Sequence, residues 1–210
     1  MKIIFDETVS TPLCEIMGRN NSTKGHINIQ SCPHNYTTFY YTIFKDMKEK
    51  QLRIFELGLE DNSESNIIPG ASLYGWAEFF PNSYILGADI NKDILFNTDR
   101  INTFFCDQND QEIIKNMWNE HLLLENFDII IENSKHCYES SVCFFENSIH
   151  KLNNNGYYII ENISLHQTYL FVNKIKEWQK EYKNLTFKFL CIQTEQDNEI
   201  NNLLVIHRDN

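Results

Sequence analysis

The sequence predicts an α/β fold, a mostly parallel sheet with helices on both faces that ends in an antiparallel hairpin. Three observations carry this expectation. From residue 53 onward, short runs rich in Ile, Leu and Phe alternate with helix-length polar segments, which is the rhythm of βα units. Each run is four to six residues long and is bounded by Gly, Asn or Asp. After the fifth run the rhythm changes to two strand-like segments with no helical pattern between them.

The expected strands are Arg53–Leu57, Tyr84–Asp89, Thr103–Cys106, Phe127–Ile131 and Tyr157–Glu161. Between them the expected helices are Ser72–Phe80, with Ser72 as its cap, Gln111–Glu120, capped by Asp110, and Glu139–Lys151. Leu165–Tyr182 follows, with Leu165, Tyr169, Val172, Ile175 and Trp178 spaced to face the sheet. The closing hairpin pairs Thr186–Thr194 with Leu203–His207 across the acidic stretch Glu195–Asn202. Residues 1–50 form a leading segment in which Thr37–Lys50 is helical and Gly18–His34 is a long polar loop. This segment is expected to cover the active site of the domain at 51–210, because loops on a rigid α/β scaffold supply substrate contacts. The Asn20-Asn21, Asn153-Asn154-Asn155 and Asn201-Asn202 runs fall where turns are expected.

Composition narrows the function. The 210 residues carry a net charge of −11, a field that repels phosphate backbones and anionic headgroups, so nucleic acid and membrane partners are disfavoured. Arg19, Lys24 and Lys135 are local positive charges that act against that field. No apolar run reaches the length of a membrane span. Met1–Glu7 has one Lys followed by acid and lacks the apolar core of a secretory signal, so the expected location is cytoplasmic. The six cysteines show no C-x-x-C pair and are expected to be reduced, mostly buried thiols. Tyr36, Phe39, Tyr40, Tyr41 and Phe44 either pack on the core or form the contact of a homo-oligomer.

The chemistry-bearing residues gather at the carboxyl ends of the expected strands, the edge where open α/β sheets bind ligands. Phe55-Glu56-Leu57-Gly58 ends the first strand, and Gly58 lets a ligand approach the backbone. Ser72 follows in Gly70-Ala71-Ser72-Leu73, whose amides suit a carboxylate or ribose. Asp89 ends the second strand, where a carboxylate accepts both hydroxyls of a ribose. Asp107 ends the third and is placed for an adenine edge. Beyond the fourth strand, His136 is the candidate general base, with an unperturbed pKa near neutrality. Asn133, Glu161 and Asn162 offer oxygen ligands to a hard cation. A nicotinamide-dependent oxidoreductase also needs Asp89 on a ribose, but the G-x-G-x-x-G spacing is missing.

Taken together, these residues resemble class I S-adenosylmethionine-dependent O-methyltransferases of the macrolide and sugar type, similar to the macrocin and mycinamicin methyltransferases. The resemblance runs from Phe55 to Asn162, about half the chain. It rests on Gly70-Ala71-Ser72-Leu73-Tyr74-Gly75-Trp76, Phe80-Pro81-Asn82, Gly87-Ala88-Asp89-Ile90, Asp107-Gln108-Asn109-Asp110 and Phe127 through His136. Lys24 and His34-Asn35-Tyr36 resemble the family's substrate-side leader.

The resemblance implies a Rossmann-like, seven-stranded sheet with a terminal antiparallel strand. It implies methyl transfer to a hydroxyl of a sugar or glycosylated acceptor, whether a natural product or a surface polysaccharide. Glu56, Gly58, Ser72, Asp89, Asp107 and Asn133 would line the cofactor site, and His136 would be the base. In the family, carboxylates at the positions of Asn133, Glu161 and Asn162 hold magnesium. Here two of them are neutral amides, which leaves metal dependence open, with Glu132 as a replacement charge if its side chain turns inward. The same substitutions also leave open a non-catalytic S-adenosylmethionine-binding protein.

Overall fold

The apolar runs become strands because both of their faces are covered. In β1 (Arg53–Leu57), Ile54 packs in one core while Phe55 and Leu57 pack in the other. In β7 (Asn202–Arg208), Leu203 and Val205 alternate in the same way with Leu204 and Ile206. The structure is a computed structural model that describes residues 6, 9–25, 36–59, 68–133, 136–191 and 202–210. Its other strands are β2 (Tyr84–Asp89), β3 (Ile101–Phe105), β4 (Phe127–Glu132), β5 (Leu152–Ile163) and β6 (Leu185–Cys191).

The seven strands form one sheet in the order β3-β2-β1-β4-β5-β7-β6, and β7 runs antiparallel to both of its neighbours. The chain steps outward from β1 through β2 to β3 and then returns to β4 on the other side of β1. That reversal opens a crevice at the carboxyl ends of β1 and β4. The helices α1 (Pro12–Arg19), α2 (Thr37–Phe44) and α3 (Ala71–Phe79) cover one face. The other face carries α4 (Gln111–Trp118), α5 (Tyr138–Ser148) and α6 (Leu165–Glu181). Among the described residues no helix is long and apolar enough to cross a membrane.

Several expectations are corrected. The leading segment also contains α1, begun by the Thr11 cap with Pro12 in its first turn, a helix that sequence reasoning did not identify and whose last two residues fall in the expected Gly18–His34 loop. Residues 26–34 of the expected polar loop, with Cys32, and residues 192–201 of the hairpin lie outside the described residues. The helix expected through Lys50 ends at Phe44 and tightens into a 3₁₀ turn at Lys45–Met47. Ser72 does not cap α3: Gly70 is the cap, at φ 74, and the Ser72 hydroxyl points to Glu56.

In α6, Phe171, Ile175 and Trp178 take the inward stripe, leaving Leu165, Tyr169 and Val172 exposed. The Asn153–Asn155 run lies within β5 rather than between elements. Leu152 pairs with Phe127 and Tyr157 with Ile129, so the run bulges out of the ladder, with Asn155 at φ 59. Of the described cysteines only Cys14 and Cys106 are buried, because Cys191 sits on the edge strand and Cys137 and Cys143 near the surface of α5. Tyr36, Phe39, Tyr40 and Phe44 are buried in the core rather than offered to a partner.

Candidate functional site

At the end of β1, Gly58 sits at φ 94, a conformation that favours glycine, and its N–H donates to the Ala88 carbonyl at 2.8 Å. Next door, Asp89 is half-buried and held in place. Its Oδ2 accepts from the Leu59 N–H at 2.8 Å and its Oδ1 from the Asn91 N–H at 2.8 Å. Half-buried Asp107, just beyond β3, accepts at Oδ1 from the Asn109 N–H at 2.9 Å and from Asn109 Nδ2 at 2.8 Å. Asp110 caps α4 through the Glu112 and Ile113 amides. Gly58, Asp89 and Asp107 thus line the carboxyl edge of three adjacent strands.

Beneath that edge lies a buried charged cluster. Glu56 is fully buried and accepts from Ser72 Oγ at 2.7 Å and from Trp76 Nε1 at 2.6 Å. Lys24 is 1% exposed, and its Nζ stands 3.1 Å from Glu56 and 2.5 Å from Glu161. The Tyr40 hydroxyl donates to the other Glu161 oxygen. Burial raises the Glu161 carboxyl above its ordinary range, with Lys24 opposing and Glu56 reinforcing the shift. Burial likewise pushes the Tyr36 and Tyr40 hydroxyls well above theirs, so both remain donors at neutral pH.

Between this cluster and solvent runs a chain of amides. Asn162, held at φ 58, accepts at Oδ1 from the Tyr36 hydroxyl at 2.9 Å, while its N–H donates back to that oxygen at 3.2 Å. Asn162 Nδ2 reaches Asn133 Oδ1 at 2.5 Å and His136 Nε2 at 2.9 Å. His136 is exposed at φ 50, and its carbonyl accepts from Gln167 Nε2 at 3.1 Å. Sequence reasoning pointed to Asn133, His136 and Asn162, and the structure joins all three. It places Glu56, Ser72 and Glu161 in the buried cluster instead.

Sequence reasoning did not identify Tyr36, Tyr40 and Trp76 as hydrogen-bond donors, since an aromatic in an apolar stretch reads first as core. Lys24 and Arg19 are not available to an anionic acceptor, because Lys24 lies between two carboxylates and Arg19 pairs with Glu78. Lys135 lies outside the described residues. Glu132 does not turn toward Asn133. It faces α5, taking a 2.6 Å bond from Ser141 Oγ and a 3.5 Å contact from Gln108 Nε2.

The donor set does not fit magnesium. A hard cation needs open, preferably anionic, oxygens. Here both Glu161 oxygens and the side-chain oxygens of Asn162 and Asn133 already accept hydrogen bonds, and an ammonium occupies the Glu161 pocket. Among the described residues no cluster of three or more His, Cys, Asp or Glu side chains is arranged to hold a metal. The sheet edge is compatible in residue type with an adenosyl group, since Gly58 brings no Cβ there and Asp89 and Asp107 are half-buried carboxylates at the ends of the neighbouring strands.

No protein-family model matches the chain. It is 28% identical over 132 residues, 62% of its length, to 8-demethyl-8-(2-methoxy-alpha-L-rhamnosyl)-tetracenomycin-C 3'-O-methyltransferase of Streptomyces olivaceus. It is 29% identical over 130 residues, again 62% of its length, to mycinamicin VI 2''-O-methyltransferase of Micromonospora griseorubida. Each match covers 32% of the relative, so the chain spans about a third of the length of the curated relatives it matches. Among solved structures, the MycE methyltransferase of the mycinamycin biosynthetic pathway, in complex with Mg, SAH and mycinamycin VI, superposes with a TM-score of 0.72. That match has 21% identity and covers 95% of this chain and 55% of the other, which establishes the fold. In sequence over the matched region, and in fold over nearly its whole length, the chain resembles the S-adenosylmethionine-dependent O-methyltransferases of macrolide and related sugars.

Proposed function

We propose that the chain is an S-adenosylmethionine-dependent O-methyltransferase acting on a hydroxyl of a sugar in a small glycosylated acceptor. The observation that carries the reading is the convergence at one sheet edge of Gly58, Asp89 and Asp107 with a histidine held at Nε2. In this reading Asp89 holds the ribose, Asp107 the adenine edge, and Asn133 the wall between them and His136. Glu56 and Ser72, fixed on each other, form the floor beneath. When bound, the cofactor would supply an electrophilic methyl group, its sulfonium–methyl bond breaking to leave S-adenosylhomocysteine. His136 accepts the acceptor's hydroxyl proton at Nε2 as the oxygen–carbon bond forms, and the site's main contribution is orientation. The net charge of −11 favours a neutral glycoside over nucleic acid, and the reading places the protein in the cytoplasm. With the leader's aromatics buried in the core, a homo-oligomer would use another face.

Calorimetric titration with S-adenosylhomocysteine, with NAD as the control, tests the cofactor site. One-to-one binding of the first and silence of the second are expected, and absence of S-adenosylhomocysteine binding overturns the reading. Methyl transfer is then measured across a panel of deoxysugar glycosides. His136→Ala is expected to keep cofactor affinity while turnover falls by about 10² to 10⁴.

A further inference from the structure

We infer that the polar centre at the ends of β4 and β5 works without a divalent cation, with Lys24 as its built-in cation and Asn162 as the residue that positions His136. The cationic half follows from burial and distance. Lys24 is 1% exposed, and its Nζ lies 2.5 Å from Glu161 and 3.1 Å from Glu56. A divalent ion on Glu161 would have to displace that ammonium or stand beside it, and it would also have to displace the Tyr40 hydroxyl. The neighbouring amides complete the arrangement. Asn162 Oδ1 accepts from Tyr36 and Asn133 Oδ1 accepts from Asn162, so the oxygens that would complete a coordination shell are already bonded within the protein.

The positioning half follows from donor arithmetic. The two Asn162 Nδ2 hydrogens point to Asn133 Oδ1 and His136 Nε2. An amide nitrogen only donates, so Nε2 is an acceptor and the neutral imidazole carries its proton on Nδ1. The lone pair needed to take a proton is therefore on Nε2 in the resting site, and Asn162 sets that tautomer and ring orientation before an arriving acceptor hydroxyl takes over the hydrogen bond. Asn162 is itself immobilised, bonded to Tyr36 through both its side chain and its backbone. The inference rests on the methyltransferase reading only in taking His136 as the base, and its tests require no turnover.

Mn²⁺ is the probe for the metal. Paramagnetic resonance of Mn²⁺ titrated with the full chain is expected to show only the free ion, and the melting temperature is expected to be the same in Mg²⁺ and in EDTA. Stoichiometric Mn²⁺ binding lost in Glu161→Gln would overturn the metal-free assignment. Long-range ¹⁵N correlation spectra of the imidazole test the positioning. Wild-type His136 is expected as the Nδ1–H tautomer, with or without Mg²⁺. Asn162→Asp, which keeps a residue tolerant of positive φ and turns the donor into an acceptor, is expected to convert it to the Nε2–H form. An unchanged tautomer in a variant with a native amide spectrum would overturn the role of Asn162.

Discussion

His136 and Asn162 both sit in the left-handed backbone region, at φ 50 and 58, where few residues with a side chain settle and where Asn and His are over-represented. Their juxtaposition at 2.9 Å makes this a constrained corner of the fold, and constraint of that kind collects at functional sites. Their places beyond β4 and within the end of β5 singled them out in the sequence, but their backbone region did not, since the exposed Asn21 and Asn155 share it for the sake of a turn and a bulge. Lys24 stood out in the leader, but its partners did not: a lysine in a polar leader reads as solvated, and only the fold brings it to two carboxylates more than thirty residues away. Lys24→Met leaves Glu56 and Glu161 buried without a counter-charge, and an unfolding midpoint in urea is expected to fall by the equivalent of about 3 to 5 kcal/mol. Arg19→Met breaks an ion pair that is largely in water and is expected to leave the midpoint where it was. Equal responses of the two variants would show that burial does not govern the Lys24 pair.

At the scale of elements, the strands were the most legible part. β1 and β2 fall where the apolar runs place them, because a central parallel strand is covered on both faces and needs apolar residues throughout. The helices were legible in number after residue 53 and less so in orientation. α6 carries two apolar stripes one step apart around its axis, and periodicity alone does not say which one meets the sheet. Phe171 and Trp178 win because their rings meet Tyr138 and Phe145. α1 left a signal in Thr11-Pro12, a cap followed by a first-turn proline, but it has only eight residues and no second apolar period to confirm it.

The Asp110 cap was read directly from its place ahead of an amphipathic run, and it accepts from two amides of α4 at 2.8 and 3.2 Å. Asp110→Ala is expected to lower stability by about 1 kcal/mol, while Asp110→Asn costs only a fraction of that. Denaturant unfolding of the pair decides the matter: equal losses would mean that charge near the helix end, rather than the accepted hydrogen bonds, is what counts.

At the scale of the molecule, the sheet separates two cores, and each holds buried acid at its carboxyl edge. On the α3 side Glu56 and Glu161 share Lys24, whereas on the α5 side Glu132 meets no cation among the described residues, and among them its Oε2 has no hydrogen-bond partner. Burial pushes the Glu132 carboxyl from its ordinary 4.5 up to about 7, against the opposing hydrogen bonds from Ser141 and Gln108. The consequence for stability has a definite sign. Between about pH 4.5 and about pH 7 the folded protein holds a proton on Glu132 that the unfolded chain has released, so stability falls as pH rises through that window and levels off above it. The full loss amounts to about 3 kcal/mol. Glu132→Gln keeps an acceptor for Ser141 without the charge. The variant is expected to match wild type near pH 4.5 and to exceed it by that amount near pH 8. Glu161, raised by the same desolvation, tilts both curves alike and cancels in the difference. Urea midpoints of the two proteins across the range measure the divergence directly, and parallel curves would mean that Glu132 stays ionised in the fold, its charge met by a group that approaches Oε2 in solution.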